Sequence, residues 1–180
     1  MRIILFLLLS LVVTNINAED ELPSEAFSPL KNIHRIDVVV DWSSLKIDSL
    51  TQEEWIEKRQ KEKPKYDARI ELEKQLKTQL FSCFIPRVNE QLIKYNLKFV
   101  RFQDTPISII IVPLNINKNG KLECEFRFQK NETKEVFAQF ILIGQGVSLG
   151  SLQTRWESAF ENIGNHLGQY LKKQLKKIYK

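Results

Sequence analysis

Asn119-Gly120-Lys121-Leu122-Glu123-Cys124-Glu125-Phe126-Arg127-Phe128-Gln129-Lys130 is the stretch that decides the fold. Leu122, Cys124, Phe126 and Phe128 fall on one side of an extended chain, and Glu123, Glu125 and Arg127 on the other. That is the period-two signature of a strand with one buried face. The Asn-Gly pair ahead of it signals a hairpin, because a primed two-residue turn needs positive φ at both central positions. The same alternation recurs over 97–102, 107–115 and 134–143, so four strands are predicted in succession. Pro113 cannot donate to a ladder, which puts an edge or a bulge in the second of them.

Outward from these strands the period lengthens to that of a helix. On the C-terminal side Trp156, Phe160, Ile163, Leu167, Leu171, Leu175 and Ile178 make one stripe of a long amphipathic helix beginning near Leu152. Gly164 and Gly168 lie one turn apart and each costs about 1 kcal/mol of helix propensity against alanine, so close approach to the sheet is the expected reason for them. On the N-terminal side Thr51-Gln52-Glu53-Glu54 is a capping box with Leu50 and Trp55 as a hydrophobic staple. The helix it opens must stop before Pro64. A second helix runs from about Tyr66 through Ile70, Leu76, Leu80, Phe84, Val88 and Leu92, with a kink or fresh start near Ile85 because of Pro86. Ile36 to Trp42, with Val38-Val39-Val40 at its centre, is a strand. The order strand, helix, helix, four strands, helix predicts an α+β domain over 33–180: a mostly antiparallel sheet of about five strands with helices packed on one face. The first strand is expected to pair inside the sheet after the helical crossover.

The N-terminus reads as an export signal. Arg2 and the apolar run Ile3 to Val13, broken only by Ser10, match a secretory signal peptide over 1–18 with cleavage after Ala18. The run is too short for a membrane span, which needs about 20 apolar residues. Residues 19–32, acidic at first and carrying Pro23 and Pro29, are expected as a flexible leader. A periplasmic or secreted protein follows. Loss of Arg2 takes the formal charge from +5 to +4, a mild excess spread over Lys-Glu mixtures, so nucleic acid is not an expected partner. Cys83 and Cys124, the only cysteines, permit one disulfide in an oxidising compartment. The alternative is that both are small buried hydrophobes.

Few residues suggest chemistry. Gly144, Gly146 and Gly150 follow a strand and precede a helix, but their spacing departs from the dinucleotide fingerprint, and they read as a loop whose glycines let the chain turn. Gly146-Val147-Ser148-Leu149-Gly150 satisfies the Gly-x-Ser-x-Gly pattern. A nucleophile elbow also needs a parallel sheet and then an acid and a histidine in chain order. Glu161 and His166 both follow on one helix, which cannot fold back over Ser148. His34 and His166 are the only histidines, and neither has a second ligand at metal spacing, so no metal or cofactor is expected. Lys172, Lys173, Lys176 and Lys177, with Lys180, make a basic end to the last helix. They complement its dipole or touch an anionic surface. The Lys58 to Lys65 run reads as a solvated helix end and loop, and Asn131-Glu132-Thr133 is a glycosylation acceptor pattern, meaningful in a eukaryotic source.

Asp41-Trp42 through Asp48 with the Thr51 to Trp55 helix start, together with Trp156-Glu-Ser-Ala-Phe-Glu-Asn-Ile-Gly164 to Leu171-Lys172, resembles a group of short exported proteins of gut Bacteroidetes without assigned function. In element order the chain is also similar to envelope accessory domains such as the TolB N-terminal domain. That likeness implies binding to other envelope proteins and no catalysis. The chain departs from lipoprotein members in lacking a lipobox cysteine. The function expected is a noncatalytic exported binding or accessory module of the cell envelope, its partner another envelope or secreted protein. The alternatives are a small serine hydrolase using Ser148, or adsorption to anionic surfaces through the C-terminal lysines.

Overall fold

The computed structural model describes residues 22–180; the signal-peptide reading of 1–18 lies outside the described residues. Strands β1 (Arg35–Val40), β2 (Lys46–Ile47), β3 (Lys98–Val100), β4 (Ile107–Ile116), β5 (Lys121–Lys130) and β6 (Val136–Gln145) join in one sheet, ordered β3-β1-β4-β5-β6 with β2 added beside β4. The fold is α+β. Antiparallel ladders link β4, β5 and β6, while β1 runs parallel between β3 and β4. A parallel pair cannot be closed by a tight turn, so the helices between β1 and β3 serve as the crossover.

Local chemistry sets the details of the meander. The turn before β5 is one residue longer than a primed hairpin: Gly120 N–H donates to the Asn117 carbonyl at 2.9 Å and Asn117 N–H to the Lys121 carbonyl at 3.0 Å. Gly120 alone among these turn residues has positive φ, +75°, the left-handed closing position of a three-residue loop. Pro113 lies in an interior strand, and the register shifts between Pro113 and Asn115, so the missing donor is absorbed by a bulge. Beyond that bulge β2 pairs with Asn115 and Ile116.

Helix α1 (Gln52–Glu62) begins with both halves of the capping box in place: Thr51 N–H donates to Glu54 Oε2 at 2.8 Å, and Glu54 N–H to Thr51 Oγ1 at 3.3 Å. After Pro64, Asp67 caps a short turn, α2 (Ala68–Ile70), which widens into a π-helical segment, Glu71–Leu76, and continues as α3 (Lys77–Leu92). The fresh start expected near Ile85 does not occur. Pro86 lies inside α3, where burial of Leu80, Phe84, Val88 and Leu92 outweighs one lost main-chain bond. The irregular turn falls upstream, and Ile70, read as a core position, is half exposed.

Helix α4 (Leu152–Ile178) has Ser151 as its N-cap and packs beside α3. Its glycines face that helix and not the sheet, contrary to the sequence expectation. A Cβ on Gly164 would sit 2.7 Å from the Phe84 carbonyl oxygen, and one on Gly168 would sit 2.7 Å from Gln91 Cβ. The glycines that meet sheet-to-helix contact are Gly144 and Gly146, where an added Cβ would come within 2.8 Å of Ile163 Cβ and 2.6 Å of the Arg155 carbonyl oxygen. Of the three read as loop glycines, Gly150 alone has positive φ, +104°.

The described part of the expected flexible leader is a built element. Ser24–Leu30 forms a 3₁₀ helix with Phe27 and Leu30 buried. Phe27 meets Phe128, Phe140 and Tyr170 edge-on, with ring centroids 5.9, 6.1 and 5.8 Å away. Two prolines in eight residues hide any periodicity, yet two apolar side chains suffice to close the core between α4 and β6. The remaining core lies between the sheet and α3–α4, where Phe84 stacks on Phe126.

Candidate functional site

All of this packing uses one face of the sheet, and the alternate residues project from the other. One cross-strand row on that face is Val39, Ile110, Arg127 and Gln139; the next is Val112, Glu125 and Ile141. Val39 is 43% exposed, and Ile143, farther along β6, is 46% exposed. Between them Val112 is covered and Glu125 is only 7% exposed. Neighbouring rows shade both, and Arg127 Nε donates to the Glu125 carboxylate. Asp41 stands at the end of β1, where the Ser43 N–H (2.9 Å) and then its hydroxyl hold the carboxyl below the usual aspartate range, with a smaller contribution from Arg127. The bare face is therefore an apolar ground, partly covered, with one ion pair set into it whose carboxylate is buried and whose guanidinium reaches solvent.

Two clefts lie away from this face. A cleft of about 760 Å³ at one end of the sheet is lined by Pro29, Thr105, Lys130 and Asn131 among others. Its polar groups hold the fold: Asn131 Nδ2 donates to the Thr105 carbonyl at 2.7 Å, and Asn131 Oδ1 accepts from Ser108 at 2.8 Å. Nδ2 is the atom a glycan would need, so the Asn131 acceptor pattern is engaged in structure. A smaller cleft of about 400 Å³ gathers Lys58, Arg59, Lys63, Lys118 and Arg155 against Asp48 and Glu62. Arg59 is committed to Glu71 by two bonds of 2.7 Å, and Arg155 Nη1 to the Lys118 carbonyl at 2.6 Å. Sequence reasoning missed Arg59, Glu71 and Arg155, because their partners lie 12 to 37 residues away along the chain.

The residues weighed for chemistry are dispersed and occupied. Ser148 is exposed on the loop after β6. Glu161 faces α3, paired with Arg87 at 3.2 Å. His166 faces β6, its Nδ1 2.9 Å from the Ile143 carbonyl, which only accepts, so this nitrogen carries the proton. The helix α4 thus stands between the acid and the base of the supposed triad. His34 lies beside the Asn96 carbonyl at 3.3 Å. Cys83 and Cys124 are both free: Cys124 is fully buried in β5, Cys83 half-buried on α3, and burial pushes both thiols up. Lys172, Lys173, Lys176 and Lys177 are exposed on the last turns of α4. Among the described residues no three His, Cys, Asp or Glu side chains gather as metal ligands, and no helix is long and apolar enough to cross a membrane.

No protein-family model matches the chain, and no curated protein matches it in sequence. Solved structures with a loosely similar backbone include the PelC dodecamer from Paraburkholderia phytofirmans, at 10% identity and a TM-score of 0.40, covering 73% of this chain and 86% of that one. A neuraminyllactose-binding hemagglutinin homolog from Helicobacter pylori aligns at 11% identity and a TM-score of 0.43, over 82% of this chain and 91% of that one.

Proposed function

We propose that the chain is a noncatalytic binding or accessory module of the cell envelope, exported to the periplasm or beyond, that holds another envelope or secreted protein against the bare face of its sheet. The observation that carries this reading is the half-exposed Val39 beside Ile110, with Ile143 half-exposed farther along the same face of the sheet and Arg127 supplying orientation. Apolar centres with a polar rim are the anatomy of protein-binding patches. The serine hydrolase reading loses support from the engagement of His166 and Glu161 on opposite sides of α4.

The test is retention of a defined protein from envelope extract by the immobilised chain, compared with Val39→Lys and with Lys94→Gln on the helical side as control. Retention by the parent and the control, with loss in Val39→Lys, is expected. Equal retention by all three would reject the bare face as the working surface.

A further inference from the structure

The two edges of the sheet are built differently. The β3 edge is three residues long, carries Lys98 and is flanked by Arg35 and Arg101. Short strands and positive charge are the usual protection against strand addition. The β6 edge has neither: Val136 to Gln145 is ten residues, Val-Phe-Ala-Gln-Phe-Ile-Leu-Ile-Gly-Gln, with no charge and no proline.

The hydrogen-bond phase of β6 follows from one contact. Gly146 N–H donates to the Gly120 carbonyl at 2.8 Å, and antiparallel residues alternate between facing the neighbour and facing away. Even-numbered residues from Ala138 to Gly144 therefore bond β5, and Gln139, Ile141, Ile143 and Gln145 direct their main-chain groups outward. α4 covers the last of these. Asn162 Oδ1 accepts from the Gln145 N–H at 2.7 Å, and His166 Nδ1 donates to the Ile143 carbonyl at 2.9 Å. Gln139 and Ile141 keep both groups free of any partner among the described residues.

We propose that β6 is a dimerisation edge, pairing antiparallel with β6 of a second copy about a two-fold axis at Phe140. An antiparallel hydrogen-bonded pair exchanges both bonds. Gln139 and Ile141 are the residues with both groups available, so Gln139 faces Ile141 of the partner subunit. A register one pair further on would need the Ile143 carbonyl that His166 already occupies. A second copy is the occupant because the strand is uncharged: self-pairing opposes no like charges, whereas the same operation at the β3 edge would set Lys98 and its basic flanks together. Pairing at β6 also sets the half-buried Ile141 of each copy opposite Gln139 of the other, with the two Ile141 side chains diagonal across the axis. This assembly stands apart from the binding reading above.

Sedimentation velocity of the protein over about 1 to 200 µM tests it, with a reversible dimer expected. Ile141→Pro removes an outward N–H and no β5–β6 ladder bond, so it is expected to be folded and monomeric. Gln139→Lys sets like charges across the axis and is expected to weaken association at least about tenfold, more strongly at low salt. A parent that is monomeric throughout overturns the proposal, as does a folded Ile141→Pro dimer. Should Ile141→Pro not fold, undiminished association of Gln139→Lys overturns it.

Discussion

A single methyl group at Gly164 sets two effects against each other. Alanine would add about 1 kcal/mol of helix propensity, but its Cβ would lie 2.7 Å from a main-chain oxygen of Phe84, which can retreat only if α3 and α4 separate. Overpacking of this kind costs about 1–3 kcal/mol, so after the propensity gain Gly164→Ala is expected to lose up to about 2 kcal/mol in urea unfolding. Gly168→Ala is expected to lose a similar amount, since its nearest contact, Gln91 Cβ at 2.7 Å, is fixed to the α3 backbone. Glu54 gives a pH-dependent case. The Thr51 N–H, and then the Thr51 hydroxyl, hold its carboxyl below the ordinary glutamate value of 4.5. A lowered folded pKa stabilises fully above the ordinary value and is lost as pH falls through the lowered one. Glu54→Gln is therefore expected to melt below the parent at pH 7, with the gap closing under acid conditions; an undiminished gap at about pH 3 would contradict the capping role. This box was legible because four consecutive residues contain it. The Arg59–Glu71 pair was not, because its partners meet only through the return of the chain after Pro64.

Among the elements, legibility followed length and regularity. β5 alternates over its ten residues, whereas β4 and β6 are near-continuous apolar runs read as strands from their β-branched and aromatic content and the turns that bound them. β2, two residues long, has no pattern to show. The π-helical segment did leave a trace. Ala68, Leu72, Leu76, Leu80, Phe84, Val88 and Leu92, all buried, recur strictly every four residues, which overshoots a 3.6-residue turn by roughly 40° at each step. A π turn rotates less per residue and returns the stripe to the sheet. Leu171, Gln174 and Leu175 are buried while Lys172, Lys173, Lys176 and Lys177 form the opposite, exposed side. Replacing these four by glutamine is expected to abolish salt-sensitive binding to anionic vesicles while leaving helical circular dichroism intact; unchanged binding removes the membrane-surface reading.

At the scale of the molecule, the α+β class and the inward place of the first strand were readable from element order. The bare face and the unequal edges were not, since both depend on which strands become neighbours. That arrangement also governs assembly in time. β1 pairs with strands some sixty to seventy residues farther along the chain, whereas β4, β5 and β6 find each other through short turns. Contacts between distant segments are slow because loop closure must come first. A chain emerging N-terminus first would thus present β1 well before the strands it pairs with, and would stay pliant until most of its length was available.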